Sequence, residues 1–96
     1  IEFKIEEGVY VLKMDEFCYN QHIFPNLIKI DIDGNELKLL KGAKNVLKNK
    51  KLRTIIIEID NIKIKDECIN LIQSNGFELI SFFKNNSVYI FNRLNQ

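Results

Sequence analysis

Two short apolar runs, separated by a stretch with helical periodicity, most restrict the fold of this chain. Residues 27–32 and 53–59 are rich in β-branched side chains, and each has the length of a buried strand. Between them, apolar residues recur at the spacing of one helix face, which predicts a helix over about 35–49. A strand, a helix and a strand in this order predict a right-handed crossover between parallel strands.

The segments before this unit are shorter and more polar. Residues 1–5 and 9–14 are predicted as two short strands around Gly8, as in a hairpin, and residues 15–21 as a short helix or turn. A break at Pro25-Asn26 then precedes the first apolar run.

The segments after the unit repeat the alternation. Asp66 is predicted to cap a second helix that closes at Asn75-Gly76. Residues 77–83 and 87–92 predict two strands joined by a tight turn. The predicted fold class is therefore α/β, with a mostly parallel sheet and an antiparallel terminal hairpin.

Composition limits the kinds of partner that the chain could bind and the cellular compartment that it favours. The chain has 96 residues, the size of one small domain, and a net charge of +1, which argues against binding to nucleic acid. Seven of the 14 basic residues fall within residues 38–53, and the helical spacing of Lys38, Lys41, Lys44 and Lys48 is typical of a solvated helix face. No apolar run is long enough for a membrane span, and two distant cysteines, Cys18 and Cys68, favour a reducing, cytoplasmic setting.

Acidic residues stand at the ends of both predicted central strands. Asp31, Asp33 and Glu36 follow the first strand, and Glu58 and Asp60 follow the second. Ligands of open α/β sheets bind beyond the carboxyl ends of the strands, so these carboxylates are the candidate site. They suit either a hard divalent cation or a carboxylate base acting on a hydroxyl.

Different roles are expected for the individual carboxylates. Asp33 and Asp60 are interpreted as turn, cap or solvent residues, with Asp33 or Asn35 capping the next helix. Asp31 and Glu58 are interpreted as functional, because a carboxylate inside an apolar strand is costly without a partner. Glu36 is either a complement to the helix dipole or a member of the site.

Two known acidic motifs were compared with this stretch. A calcium EF-hand loop that started at Asp31 would need Gly at its sixth position and Glu at its twelfth, where the chain has Glu36 and Gly42. The stretch also resembles the first motif of haloacid-dehalogenase-type phosphatases, which would use Asp31 and Asp33. Asn35 departs from that motif, so the phosphatase is the weaker alternative.

In its wider setting the acidic stretch resembles the FkbM family of S-adenosylmethionine-dependent methyltransferases. LKMDEF, then LIKIDIDGNELKLLKGA, then RTIIIEID follow the order and spacing of that family's motifs over residues 11–60. Lys29, Asp31, Gly34 and Glu36 match its central motif, and Glu58 matches its next strand. Asp15 matches its Leu-Asp element, whereas Asp33 stands where the family more often has Glu.

The resemblance implies a Rossmann-like class I methyltransferase fold, of which residues 1–96 would be the C-terminal part. The cofactor-binding half, with its glycine-rich turn, would lie before Ile1, so no cofactor-binding residue is assigned. The implied activity is O-methylation, with S-adenosylmethionine as cofactor, of a hydroxyl on a sugar, a polyketide or a similar small molecule or glycan. The 96 residues alone would be inactive and would bind the cofactor poorly.

The residues expected to act are few. Asp31 and Glu36 are predicted to be catalytic, and Asp31 and Glu58 could instead hold a divalent cation such as Mg²⁺ that lowers the pKa of the acceptor hydroxyl. The competing hypothesis is a non-catalytic α/β interaction module. An exposed sheet edge would also allow association into a homo-oligomer.

Overall fold

One sheet with helices packed on a single face forms the fold. The computed structural model describes residues 2–4 and 13–94. The strands are β1 (Glu2–Lys4), β2 (Leu27–Asp31), β3 (Thr54–Glu58), β4 (Phe77–Phe83) and β5 (Val88–Arg93). The helices are α1 (Met14–Gln21), α2 (Glu36–Lys41), α3 (Lys44–Lys48) and α4 (Ile62–Ser74), and a 3₁₀ turn, Lys84–Asn86, joins β4 to β5.

The strand order is β1-β2-β3-β5-β4. The pairings β1–β2 and β2–β3 are parallel, whereas β3–β5 and β4–β5 are antiparallel. The α/β class and the antiparallel terminal hairpin are therefore confirmed. The sheet is mixed rather than mostly parallel, because β5 turns back after β4 and inserts between β4 and β3.

The two faces of the sheet differ in burial. On one face alternate isoleucines of β2 and β3, together with Tyr89 and Phe91 of β5, are buried in a single core. All four helices contribute side chains to that same core, so they cover this face. The intervening strand residues, among them Lys29, Asp31 and Glu58, lie on the opposite, more open face.

The predicted helix over 35–49 is two helices. It is interrupted at Gly42-Ala43, between α2 and α3. The cause lies on α1, where Asp15 accepts hydrogen bonds of 2.8 Å from the backbone N–H groups of Asn45 and Val46. The Asp15 N–H in turn donates to the carbonyl of Gly42 at 3.0 Å. These hydrogen bonds satisfy backbone groups at the end of α2 and the start of α3 that have no partner within their own helix. They therefore stabilise the break.

Other boundaries also differ from the predictions. α4 begins four residues before Asp66, because the side chain of Asn61 caps it by accepting a hydrogen bond from the Lys63 N–H at 2.9 Å. Its predicted end at Asn75-Gly76 is confirmed, and Gly76 has φ +90°, a backbone conformation that favours glycine. Met14 begins α1 rather than ending a strand, and the hairpin predicted around Gly8 lies outside the described residues.

Two further predictions concern surfaces. Lysines 38, 41, 44 and 48 are all exposed, as expected of a solvated face, and Lys41 forms an ion pair of 3.4 Å with Glu67 of α4. Within residues 2–4 and 13–94 no helix is long and apolar enough to cross a membrane.

Candidate functional site

The candidate site lies at the carboxyl ends of the two central parallel strands. Ile30 of β2 is in register with Ile57 of β3, so the next residues, Asp31 and Glu58, are neighbours across the two strands. Both strands alternate in the same phase, which places both carboxylates on the open face of the sheet. The sequence prediction that these two residues converge is consistent with this register.

A third carboxylate, Asp60, stands close to the pair. The pKa of Glu58 is raised, first by partial burial and then by the negative charges of Asp31 and Asp60. When protonated, Glu58 can donate a hydrogen bond to either neighbour, which raises its pKa further. Asp31 and Glu58 are half-buried and Asp60 is exposed, so the cluster borders solvent.

The described carboxylates lack part of the arrangement that a metal site requires. In the described part of the chain, no group of three or more His, Cys, Asp or Glu side chains is placed to hold a metal ion. Asp31 and Glu58 alone would supply two oxygen ligands, fewer than the six that Mg²⁺ prefers. A cation bound here would need its remaining ligands from water or from the substrate.

The turn that follows Asp31 has an unusual backbone. Asp33 has φ +47° and Gly34 has φ +92°, so two consecutive residues are left-handed. Gly34 adopts this conformation freely, and aspartate is among the residues that tolerate it. Asp33 is exposed and belongs to the turn, as predicted, but neither it nor Asn35 makes a side-chain cap. The Asn35 amide instead donates to the Ile32 carbonyl at 3.3 Å.

Glu36 fixes this turn from inside. Its side chain is only 2% exposed, and it is the one buried charged residue of the described core. Its carboxylate accepts hydrogen bonds from the backbone N–H of Gly34 at 3.1 Å and from that of Ile32 at 3.3 Å. Hydrogen bonds to a charged acceptor offset the cost of burial. Glu36 therefore holds the segment directly after Asp31, with its oxygens directed at the backbone.

Asp15 is the residue whose role the sequence did not show. It matched a motif position, but nothing in its neighbourhood along the chain indicated that it bonds to residues thirty positions away. Its carboxylate occupies the N-terminus of α3, where negative charge is favoured. One signal in the sequence could have suggested this role. Asp15 matches a family motif although it does not follow a predicted central strand.

The remaining candidates have structural positions. His22 is exposed and ends α1 with φ +54°, as expected of a surface histidine. Cys18 and Cys68 are free thiols in the core. Burial, with the charges of Glu36 and Glu67, raises the pKa of Cys68 to about 12, so this thiol stays protonated and unreactive.

The raised pKa of Glu58 predicts a pH-dependent effect on stability. Its folded-state pKa lies above the unfolded one, so ionised Glu58 destabilises the fold above the folded pKa, and the penalty vanishes below the unfolded pKa. Glu58→Gln is therefore expected to raise the free energy of unfolding by about 0.5 kcal/mol near pH 8, with no gain near pH 4. Urea unfolding at both pH values measures this.

The matched control is Asp66→Asn, which removes an exposed carboxylate on α4. It is expected to leave the pH dependence of unfolding unchanged. A gain for Glu58→Gln that is equal at pH 4 and pH 8 would contradict the proposed repulsion among the three carboxylates.

Comparison with known proteins agrees with the resemblance noted in the sequence. The family model described as methyltransferase FkbM domain matches residues 2–87 of this chain. No curated protein and no solved structure gives a match. The matched range includes the central strands, the turn after Asp31 and the Asp31–Glu58 pair.

Proposed function

The chain belongs to the FkbM methyltransferase family, and we propose that it carries the acceptor side of an S-adenosylmethionine-dependent O-methyltransferase. The observation that supports this most directly is the pairing of Asp31 with Glu58 at the carboxyl ends of adjacent parallel strands. In open α/β sheets this edge is where substrates bind.

The carboxylates suit the acceptor rather than the cofactor. Asp31, Glu58 and Asp60 lie close together and are proposed to face the acceptor hydroxyl, so other residues would hold S-adenosylmethionine. When bound, that cofactor supplies an electrophilic methyl group. The four glycines of the printed sequence are isolated and form no glycine-rich turn for a nucleotide. We therefore propose that these 96 residues alone bind the cofactor weakly and are inactive.

Asp31 is the proposed general base. Its carboxylate would accept the proton of the acceptor hydroxyl while the hydroxyl oxygen bonds to the methyl carbon and the carbon–sulfur bond breaks. A positioned carboxylate contributes typically 10²–10⁴-fold to such a proton transfer. Glu58, the neighbour of Asp31 on β3, would orient Asp31 and the acceptor hydroxyl.

Glu36 contributes indirectly in this proposal. Its oxygens already accept from the N–H groups of Ile32 and Gly34, so they are directed away from a substrate on the open face. We propose that Glu36 is a positioning residue that fixes the turn beyond Asp31, rather than a proton acceptor. This proposal differs from the expectation, drawn from the sequence, that Glu36 is catalytic.

The class of methyl acceptor and the cellular location are also proposed from the side chains of this chain. A small-molecule or glycan hydroxyl fits a carboxylate base, and the two free, buried cysteines fit a reducing cytoplasm. Mg²⁺ held by Asp31 and Glu58 is a second route to the same chemistry, because a bound cation also lowers the pKa of a hydroxyl. No comparison supports a phosphatase or a non-catalytic module.

Association through a sheet edge stays a prediction. The described edge strand β4 exposes large apolar side chains, with Leu79, Ile80, Phe82 and Phe83 between 39% and 52% exposed. A shift of register between Leu79 and Ser81 interrupts its ladder, however, and such irregularities oppose pairing with another strand.

Transfer of a labelled methyl group tests the proposed activity. The full-length protein, incubated with methyl-labelled S-adenosylmethionine and a panel of sugar and polyketide alcohols, is expected to label at least one hydroxyl. The 96-residue chain alone is expected to give no transfer and no saturable heat in calorimetry with the cofactor. Label found only on nitrogen or carbon acceptors would contradict O-methylation, and tight cofactor binding by the chain alone would contradict its proposed weak affinity.

A further inference from the structure

A cavity lies at the end of the sheet opposite to the candidate site. It has a volume of about 240 Å³, is open to solvent on one side, and is lined by α1, the segment before β2 and α3. His22, Phe24 and Pro25 line it just before β2 begins, and Asn49 lines it shortly before β3. The carboxylates stand where β2 and β3 end, so a five-residue strand, roughly 16 Å, separates the two places.

The cavity has an apolar floor and an aromatic rim. Cys18 and Val46 form its buried floor, with exposed fractions of 5% and 7%. Tyr19 and Phe24, at the rim, are 81% and 61% exposed. Large aromatic side chains that lie in solvent beside a cavity are typical of a binding surface, because a ligand would bury them.

Positive charge accompanies this rim. The ammonium of Lys51 lies 4.9 Å from the centre of the Phe24 ring. Lys44, Lys48 and Lys50 are exposed on or directly after α3, next to the lining residues Asn45 and Asn49. Asp15 also lines the cavity, but both oxygens of its carboxylate accept 2.8 Å hydrogen bonds from backbone N–H groups at the start of α3, which stabilise its negative charge in that position.

We propose that this cavity binds a small aromatic carboxylate, with its ring between Tyr19 and Phe24 and its carboxylate towards Lys51. The volume is just below the usual range of ligand pockets, about 300–1,000 Å³, which limits the occupant to one or two rings. Asn45 and Asn49 also line the cavity, and the side-chain oxygen of Asn49 accepts a hydrogen bond from the Lys51 N–H at 3.0 Å. This site is separate from the carboxylate cluster and does not depend on methyl transfer.

A titration of the 96-residue chain with 2-naphthoate, monitored by the NMR shifts of its backbone amides, tests the site. Saturable shifts are expected at Tyr19, Phe24 and Val46, with none at Asp31 or Glu58. Affinity is expected to fall as salt rises, because the carboxylate–lysine attraction is screened. The neutral analogue 2-naphthamide is expected to bind at least about threefold more weakly, as an exposed ion pair would allow.

Variants separate this site from adventitious binding. Asn45→Phe places a ring in the cavity from an exposed helix position and is expected to abolish the shifts while thermal unfolding is retained. Lys51→Gln is expected to weaken 2-naphthoate about threefold and leave 2-naphthamide unchanged. Lys63→Gln, an exposed lysine on α4, is the matched control and is expected to change neither.

Three results would overturn the proposal. One is the absence of saturable shifts in the unmodified chain, and a second is equal affinity for the carboxylate and the amide. The third is a response centred on Asp31 and Glu58, which would assign the ligand to the acceptor site instead. The first two results do not concern methyl transfer, and the third concerns only where 2-naphthoate binds, so the two proposals fail independently.

Discussion

Asp31→Asn is expected to lower the rate of methyl transfer at least about 100-fold in the full-length enzyme. The amide is nearly the same size as the carboxylate but cannot take up the hydroxyl proton, and this removes a 10²–10⁴-fold contribution. Affinity for S-adenosylmethionine is expected to stay nearly unchanged, because Asp31 is proposed to contact the acceptor. Labelled-methyl kinetics measure the rate, and calorimetry measures the affinity.

Two neighbouring variants sharpen this test. Asp33→Asn changes an exposed turn residue two positions away and is expected to stay within about twofold of the unmodified rate. Glu36→Gln is expected to lower activity and Tm together, because its amide has one accepting oxygen instead of two and carries no charge, which weakens the hydrogen bonds from Ile32 and Gly34. Unchanged turnover of Asp31→Asn would end its role as base.

Arg93→Ala is expected to destabilise the fold strongly, lowering the free energy of unfolding by about 2–4 kcal/mol. The guanidinium donates four hydrogen bonds to backbone carbonyls, namely those of Leu47 at 2.7 Å, Asn49 at 2.9 Å, Leu52 at 2.7 Å and Asn75 at 3.1 Å. It also lies 4.3 Å from the centre of the Phe77 ring. Alanine would leave these partly buried carbonyls without partners, and hydrogen bonds to charged groups are the stronger kind.

The surroundings of Arg93 explain why lysine should not rescue it. Burial and the nearby charge of Arg53 lower the pKa of Arg93, yet its guanidinium, unlike an ammonium, stays charged there. Arg93→Lys, with one donor nitrogen, is expected to recover less than half of the loss. Lys84→Ala, an exposed change beside β4, is the control and is expected to stay within about 0.5 kcal/mol. Urea unfolding measures all three variants. A loss of unfolding free energy below about 1 kcal/mol for Arg93→Ala would contradict the proposed stabilisation by its hydrogen bonds.

The central elements could be predicted from the sequence because their signals are local. Runs of β-branched residues marked β2 and β3, and the right-handed crossover rule then made them parallel neighbours. Parallel pairing predicted that the carboxylates at the ends of these strands could converge, and the register in the structure places Asp31 beside Glu58. The end of α4 was also predictable, since Asn75-Gly76 is a typical helix terminus.

The rest depended on contacts between distant residues. The break at Gly42-Ala43 follows from Asp15 on another helix, and an apolar stripe that continues across the break conceals it. The position of β5 between β3 and β4 follows from packing of the whole sheet, whereas a hairpin pattern gives only its pairing with β4. Glu36 points into the interior because the turn before it is left-handed. The sequence alone does not reveal that turn.

The insertion of β5 also constrains how the chain acquires its structure during synthesis. β5 is the last of the five described strands to be made, yet it occupies an interior position of the sheet. The β4–β5 hairpin can form in microseconds, but its docking on β3 closes a loop of about thirty residues. Until residues 88–93 have left the ribosome, β3 keeps an open edge, so the nascent chain passes through a stage in which it depends on protection from aggregation.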